Sequence, residues 1–284
     1  MKNELDAKLR QLQLIQLEIL NVIDRFCREN DIHYSLYAGT LLGAVRHQGF
    51  IPWDDDLDIC MSREEYDRFI RIWEEKHPDG YILQNKENAP SFSSSFSKIR
   101  KDHTCFLQFE SEIRRYHTGI FVDVFPIDRM PEGRLNSKIF QYRCLKYQLL
   151  TREYVPTEGS SLQKAFSKII LGLSSKKKRP DQRKRLLARI TRYNSDASLP
   201  AVAIEIMKTI RTPLPADFMT EFTDIDFEGK RFMSSALWDE YLTAKFGDYM
   251  KLPPESERVW RHHPIILDFE HNYDELPEEE KLPD

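Results

Sequence analysis

The sequence predicts an α/β (α+β) protein: a sheet flanked by helices, followed by an added helical region. Three observations predict it. Residues 4–29 carry apolar side chains at three- and four-residue steps, as one helix face does. Short runs rich in β-branched and aromatic residues follow, the clearest being GIFVDVFPID at 119–128. Beyond them the helical period returns over 134–152 and 160–210, interrupted near SSKKKRP and around YNSDASLP. With 284 residues, 40% of them hydrophobic, the chain can bury a substantial core. The expected organisation is a core over 1–130 and, over 131–284, a helical region that returns a hairpin and tail to it.

In the first helix Leu5, Leu9, Leu12, Ile15, Ile19 and Phe26 form the apolar stripe, and ENDI ends it. YSLYAGT is a short strand running into Gly39-Thr40, LLGAVR a short helix, and HQGFIPW a loop broken by Gly49 and Pro52. DLDICM reads as a strand. Ser62 and Glu65 then form a capping-box pattern that opens a helix over SREEYDRFIRIWEE. YILQN, FSKIRK and GIFVDVFPID are further strands. FTDIDFEGKRFM is a hairpin turning at Glu228-Gly229. SALWDEYLTAKFG is a helix, with Ser235 as N-cap and Gly247 as its stop. KLPPESERVWRHHP is an irregular tail, and ELPEEEKLPD is expected to fray.

Composition narrows the function. The net charge of −4 hides an asymmetry: residues 160–193 hold eleven Lys or Arg against Asp181 alone. That segment suits an anionic partner. Within it Leu162, Phe166, Ile169, Ile170 and Leu173 recur on one helical face beside the basic run, so 162–185 is a candidate for peripheral membrane contact, a core-facing helix being the alternative. Basic and aromatic residues do not interleave, so no nucleic acid is expected. The charged start is no secretory signal, and no apolar run reaches membrane-spanning length. Cys27, Cys60, Cys105 and Cys144 lack metal-ligand spacing and read as buried thiols in a reducing compartment. The expected location is cytoplasmic, at the inner face of the membrane where contact is made.

Asp54–Asp58 holds four aspartates among Phe50, Ile51, Trp53, Leu57 and Ile59. On a strand, Asp56 and Asp58 share one face, about 7 Å apart, while Leu57 and Ile59 point to the core. Two carboxylates so close and partly desolvated need a cation or proton. Mg²⁺ suits them, taking hard oxygen ligands from carboxylates, water and substrate phosphate. A lone D-x-D also occurs on ordinary surface edges. Here a Gly39-Thr40 turn precedes a helix whose N-terminal N–H groups suit phosphate, and Asp123 sits on a further strand. Asp128 competes with Asp123 for the third carboxylate. Asp54 and Asp55 exceed such a site's needs and are read as loop caps or as holders of bound water.

YSLYAGTLLGAVRHQGFIPWDDDLDICMSREEYDRF resembles the hallmark segment of the LicD family, which is similar to the nucleotidyltransferase-fold superfamily and includes relatives of fukutin. SKIRKDHT, GIFVDVFPID and KFGDYMKLPPESERVWRH resemble further LicD segments in the expected order. The resemblance implies a nucleotidyltransferase-like mixed sheet flanked by helices. It implies metal-dependent transfer, with Mg²⁺ or Mn²⁺, of phosphocholine from a CDP-choline-like donor to a glycan acceptor such as teichoic acid or lipopolysaccharide, including a lipid-linked one. Asp56 and Asp58 match the paired metal ligands and Asp123 the third carboxylate. Gly39 and Thr40 stand where a Gly-Ser pair is usual. Lys98 and Arg100 are phosphate clamps or a solvated strand edge. Arg46 and His47 touch phosphate or order the loop. Asp248 and His262 are candidates for the acceptor or base pocket, and Tyr37, Trp53 and Tyr249 for a cage around a quaternary ammonium or for core. Two alternatives remain at this point: nucleotidyl transfer by the same carboxylates, and a non-catalytic glycan- or nucleotide-binding subunit.

Overall fold

The computed structural model describes residues 2–282 apart from 110–111, 113–115, 157–159, 206–209 and 211–212. The helical expectation for 206–209 and the end of the tail, 283–284, lie outside the described residues. The elements run α1 Lys2–Glu29, β1 Ser35–Leu36, α2 Ala38–His47, β2 Asp58–Ser62, α3 Arg63–Lys76, β3 Tyr81–Gln84, β4 Ser97–Lys101, β5 Cys105–Leu107 and β6 Phe121–Arg129. Then come α4 Arg134–Arg152, α5 Ser161–Gly172, α6 Arg179–Thr191, β7 Ala201–Ala203, β8 Phe222–Phe227, β9 Lys230–Ser235, α7 Trp238–Phe246 and β10 Ile266–Asp268.

The α/β expectation holds: a mixed sheet of order β1-β2-β6-β4-β3 has helices packed on it. β2 and β6 are parallel, and their other neighbours antiparallel. β6 is the spine, with eight of its nine residues buried, which explains its strong β-branched and aromatic signal. Pro126 sits inside it without harm. On the edge opposite β2, β4 pairs only as far as Val124 and β7 begins at Ile127. The proline falls in that gap, where no neighbour asks for its missing N–H.

The core joins α1, the sheet and α3. Leu12, Ile19, Ile23 and Phe26 meet Ile59, Val122, Val124, Phe69 and Trp73. The Phe26 ring lies 4.6 Å from that of Trp73 and 5.8 Å from that of Phe69. A second cluster, including Met130, Phe140, Leu150, Leu186 and Ile190, forms under α4 and α6. All four cysteines are free and buried. No helix among the described residues is long and apolar enough to cross a membrane.

Several local expectations change. β2 begins at Asp58, so Asp56 lies in extended chain before the strand rather than on it. Residues 201–203, expected to be helical, form β7, because Ala201–Ala203 complete the edge of β6. Ser235 ends β9 instead of capping α7: its hydroxyl donates to the Phe218 carbonyl at 2.5 Å and accepts from the Leu237 N–H at 3.1 Å. The apolar face read over 162–173 divides. Ile170 is buried, whereas Leu162, Phe166, Ile169 and Leu173 are exposed. Arg179 leaves the solvated basic run, since it is buried against the Ser174 and Leu171 carbonyls.

Candidate active site

The site forms where β1, α2, β2 and β6 meet. α2 starts abruptly: Tyr37 is extended, Ala38 has a φ of 48°, and the helix proceeds. The sheet fixes this turn from both sides. The Tyr37 N–H donates to the Asp58 carbonyl at 3.0 Å, and the Asp58 N–H donates to the Thr40 hydroxyl at 2.8 Å. Thr40 is buried and thereby ties the helix start to the first residue of β2. At Gly39 a Cβ would sit 2.5 Å from Asp54 Oδ2, so a bare backbone is needed for that carboxylate to lie against the helix start.

The aspartate loop is held from below by α1. Gln13 Nε2 donates to the Asp54 carbonyl at 2.9 Å, and Gln16 Nε2 to that of Asp55 at 3.0 Å. It is held from the side by the hairpin. The Glu228 N–H donates to the Gln48 carbonyl at 2.9 Å, and Glu228 Oε1 accepts from the Phe50 N–H at 3.1 Å. Arg10 holds the same carboxylate.

Asp56 and Asp58 both open onto one cavity of about 600 Å³, together with Gly39, Arg46, Trp53 and Tyr249. Asp248, Lys245 and Arg261 also line it. Asp123 is brought beside them by register: it pairs with Asp58 across β2–β6 and with Lys98 across β4–β6. Lys98 Nζ meets Asp123 Oδ1 at 2.5 Å and lies 3.2 Å from the Phe121 ring centroid. Asp128 is placed elsewhere, held by Arg63 at 3.0 and 2.8 Å and by Asn194 at 2.8 Å.

Charge is strained at this site. Burial, reinforced by Asp56 and Asp123, pushes the Asp58 carboxyl well above the ordinary carboxylate range. Burial and the neighbouring Asp56 and Asp55 do the same to Asp54. Asp56 is raised by burial, with the charge of His262 opposing. Burial pulls the Lys98 ammonium down, against the attraction of Asp123. Asp55 behaves oppositely. It is wholly buried, yet its carboxyl is lowered, because hydrogen bonds outweigh the burial. Its Oδ1 lies 3.0 Å from His262 Nδ1, and its Oδ2 accepts from the N–H groups of Arg261 at 3.1 Å and His262 at 2.8 Å. The same contact raises the His262 imidazole. Asp55 therefore fastens the tail to the loop, one of the two readings open to it from sequence.

Other expected residues take several places. His262 Nδ1 is 3.8 Å from Asp56 Oδ2, and Asp55, Asp56 and His262 bring ligand atoms within 4.8 Å of one another. Arg46 donates to the carbonyls of Tyr249 at 2.9 Å and Lys251 at 3.4 Å, which orders the tail over the cavity. His47 stands edge-on to Trp53, and burial lowers its imidazole. Lys98 and Arg100 are both buried, so β4 is not a solvated edge. Arg100 bonds Gln84 and the Gly119 carbonyl at 2.6 Å each. Tyr37 is fully buried, stacked 5.3 Å from Tyr241, and belongs to the core rather than to a ligand cage. Trp53 and Tyr249 do face the cavity, and the Tyr249 hydroxyl donates to Asp239.

Sequence reasoning passed over Lys245 and Glu228. Lys245 lines the cavity, lies 4.6 Å from the Tyr37 ring centroid and bonds the Tyr241 hydroxyl at 2.8 Å. Its position in FGDYM-adjacent helix gave no local sign of this. Glu228 was legible only as a turn residue; its φ of 52° and its bond to the Phe50 N–H come from the structure.

Residues 31–157 match the family described as LicD/FKTN/FKRP, nucleotidyltransferase domain. The chain is also 29% identical over 260 residues to the lipopolysaccharide cholinephosphotransferase LicD of Haemophilus influenzae, covering 89% of this chain and 96% of that protein. An uncharacterized protein of Rickettsia typhi is 34% identical over 156 residues, 47% of this chain and 50% of its own length. One of Rickettsia prowazekii is 32% identical over 130 residues, 39% and 48% respectively. The matched span contains α2, the aspartate loop and β2, which line the cavity, and β4 and β6, which carry Lys98 and Asp123. Residues 31–157 thus match a LicD-type nucleotidyltransferase domain, and the chain is similar to a LicD protein over most of its length.

Proposed function

We propose that the chain transfers phosphocholine, or a related phospho-alcohol, from a CDP-linked donor to a cell-surface glycan of the lipopolysaccharide or teichoic acid kind. The observation that carries this reading is the pair Asp56 and Asp58 facing one cavity, with Asp123 in register beside Asp58. The similarity to the Haemophilus influenzae enzyme over nearly its whole length supports the choice of group and acceptor.

The donor set fits a divalent ion. Burial, with repulsion from neighbouring carboxylates, raises Asp56 and Asp58, which is the signature of carboxylates short of a counter-charge. Asp56, Asp58 and Asp123 are the proposed ligands, with Mg²⁺ or Mn²⁺ preferred by an all-oxygen set. When bound, the ion neutralises diphosphate charge and polarises the phosphorus under attack.

The chain's own residues do the rest. The first turn of α2, bare at Gly39, offers backbone N–H groups to a phosphate oxygen. In this reading Asp123 Oδ2 takes the acceptor hydroxyl's proton, while Lys98 holds Oδ1 and keeps the side chain oriented. The acceptor oxygen bonds to the choline-bearing phosphorus, the bond from that phosphorus to the bridging oxygen breaks, and CMP leaves. Trp53 and Tyr249 line the cavity, and Glu257 and Asp248 add negative charge there, a combination suited to a quaternary ammonium group.

The family's description as a nucleotidyltransferase domain favours one second reading, attack at the phosphorus nearest the nucleoside. The products separate the two. With a panel of CDP-alcohols and, separately, CTP as donor, each with Mg²⁺ and candidate glycans, phosphocholine transfer releases CMP in an acceptor-dependent manner, whereas nucleotidyl transfer from CTP releases diphosphate. Acceptor-independent diphosphate release with no CMP would overturn the proposal.

A further inference from the structure

The helical region exposes hydrocarbon in a pattern. α5 turns Ile170 and Ser167 inward, and Leu171 packs on the second core cluster. Leu162, Phe166, Ile169 and Leu173 stand at steps of four, three and four, which is one stripe of a helix. That stripe faces solvent: Leu162 and Leu173 are each 83% exposed and Ile169 58%. α4 adds a second stripe, Leu135, Ile139 and Tyr142, also exposed. The Tyr142 and Phe166 rings meet at 6.4 Å, so the two stripes touch.

The helix is built to hold this shape. Ser160 and Gln163 form a complete capping box at its start. At its end buried Arg179 donates to the Leu171 and Ser174 carbonyls, both at 3.3 Å. The stripe is therefore a fixed feature of an ordered helix, and its exposure needs a reason.

Charge identifies the occupant. α4 contains five basic residues, of which Arg152 pairs with Glu205, α5 two, and Lys176–Lys178 three, and none of these segments contains Asp or Glu. Lys176, Lys177 and Lys178 are exposed. Large aliphatic side chains on a predominantly basic face match an anionic bilayer, whose headgroups take the charge and whose acyl boundary takes the hydrocarbon. A second copy of the chain fits less well, because a two-fold interface would set like-charged faces against each other. Nucleic acid would leave Leu162 and Leu173 against phosphates.

We propose that the face formed by α4, α5 and Lys176–Lys178 docks the protein on an anionic lipid surface. The proposal stands on this face alone and does not depend on the chemistry assigned to the cavity. The full chain is sedimented with vesicles of phosphatidylcholine, and of phosphatidylcholine mixed with phosphatidylglycerol, at low and high salt. Wild type binds the mixed vesicles and is released by salt. Replacing Lys176, Lys177 and Lys178 together by Gln weakens binding about 100-fold, each lysine contributing roughly five-fold. Leu162→Ser with Leu173→Ser, at positions too exposed to support the fold, also weakens it while the melting temperature stays unchanged. Three outcomes overturn the proposal: wild type ignoring the mixed vesicles at low salt, either variant binding as wild type does, or wild type forming a dimer in gel filtration that the leucine variant abolishes.

Discussion

The aspartate loop and the α4–α5 face depart from ordinary packing in opposite directions. The first buries charge: Asp55 and Asp123 are buried, and Asp54, Asp56 and Asp58 are enclosed enough to be pushed up in pKa. The second exposes hydrocarbon, with Leu135, Leu162 and Leu173 each more than two-thirds in solvent. Both arrangements cost free energy in the isolated chain. In the readings proposed above, each is relieved by something outside it: a cation and phosphate for the carboxylates, a lipid surface for the leucines. One region carries electrostatic strain and the other exposed apolar area, and the rest of the molecule supplies the stability.

The largest effect should come from removing charge at the first region. Asp56→Asn and Asp58→Asn are each expected to lower transfer by on the order of 10³-fold, since each loses a charged ligand. Their melting temperatures should hold or rise as like-charge repulsion is relieved. An inactive variant that is also strongly unstable would mean these carboxylates support the fold instead.

Two glycines sharpen the contrast between function and packing. At Gly43 a Cβ would meet the Gly49 carbonyl oxygen at 2.5 Å, a backbone atom that cannot turn aside. Gly43→Ala should cost about 1–3 kcal/mol in denaturant unfolding, through overpacking. At Gly39 the obstacle is the Asp54 carboxylate, which can rotate. Gly39→Ala should leave stability nearly unchanged yet displace Asp54 into the cavity, raising the KM for donor about ten-fold through crowding of the phosphate site. Equal stability losses at both positions would erase the distinction.

The smallest effect concerns Glu228, the strut between hairpin and loop. Its carboxyl is lowered chiefly by the Arg10 hydrogen bond, with burial opposing and the Phe50 N–H assisting. A lowered carboxylate stabilises the fold above its unfolded pKa, about 4.3 for Glu, and the contribution is lost as pH falls through the lower folded value. Glu228→Gln should therefore be less stable than wild type near neutrality, by roughly 0.5 kcal/mol because Arg10 is half exposed. The two melting curves should converge below about pH 4. A difference that persists undiminished in acid would remove the ion pair as its cause.

Much of the architecture was legible because it is local. The α1 stripe, the Ser62 cap, the β6 run and the Glu228-Gly229 turn each depend on neighbours in sequence, and each lies where expected. What was illegible is long-range. β5 and β10 are three-residue strands paired across some 160 positions, and nothing within either run specifies its partner. β7 exists because β6 has an open edge. Asp56 was assigned to a strand by parity, and its shared outlook with Asp58 instead comes from the loop that α1 holds. The Asp55–His262 contact spans 207 positions and appears only when the tail returns. On α5 the period revealed an apolar stripe but not which way it faces, because periodicity fixes the side of a helix and only tertiary packing decides what covers it.

The central claim is that Asp58 and its neighbours move phosphocholine. It is tested most directly by following label from choline-labelled CDP-choline into lipopolysaccharide, in wild type and Asp58→Asn, with excess EDTA and after Mg²⁺ is restored. The expected result is acceptor labelling with one CMP released per transfer, abolished by EDTA, recovered with Mg²⁺ and lost in Asp58→Asn. Labelling that continues undiminished in EDTA or in Asp58→Asn would contradict the account.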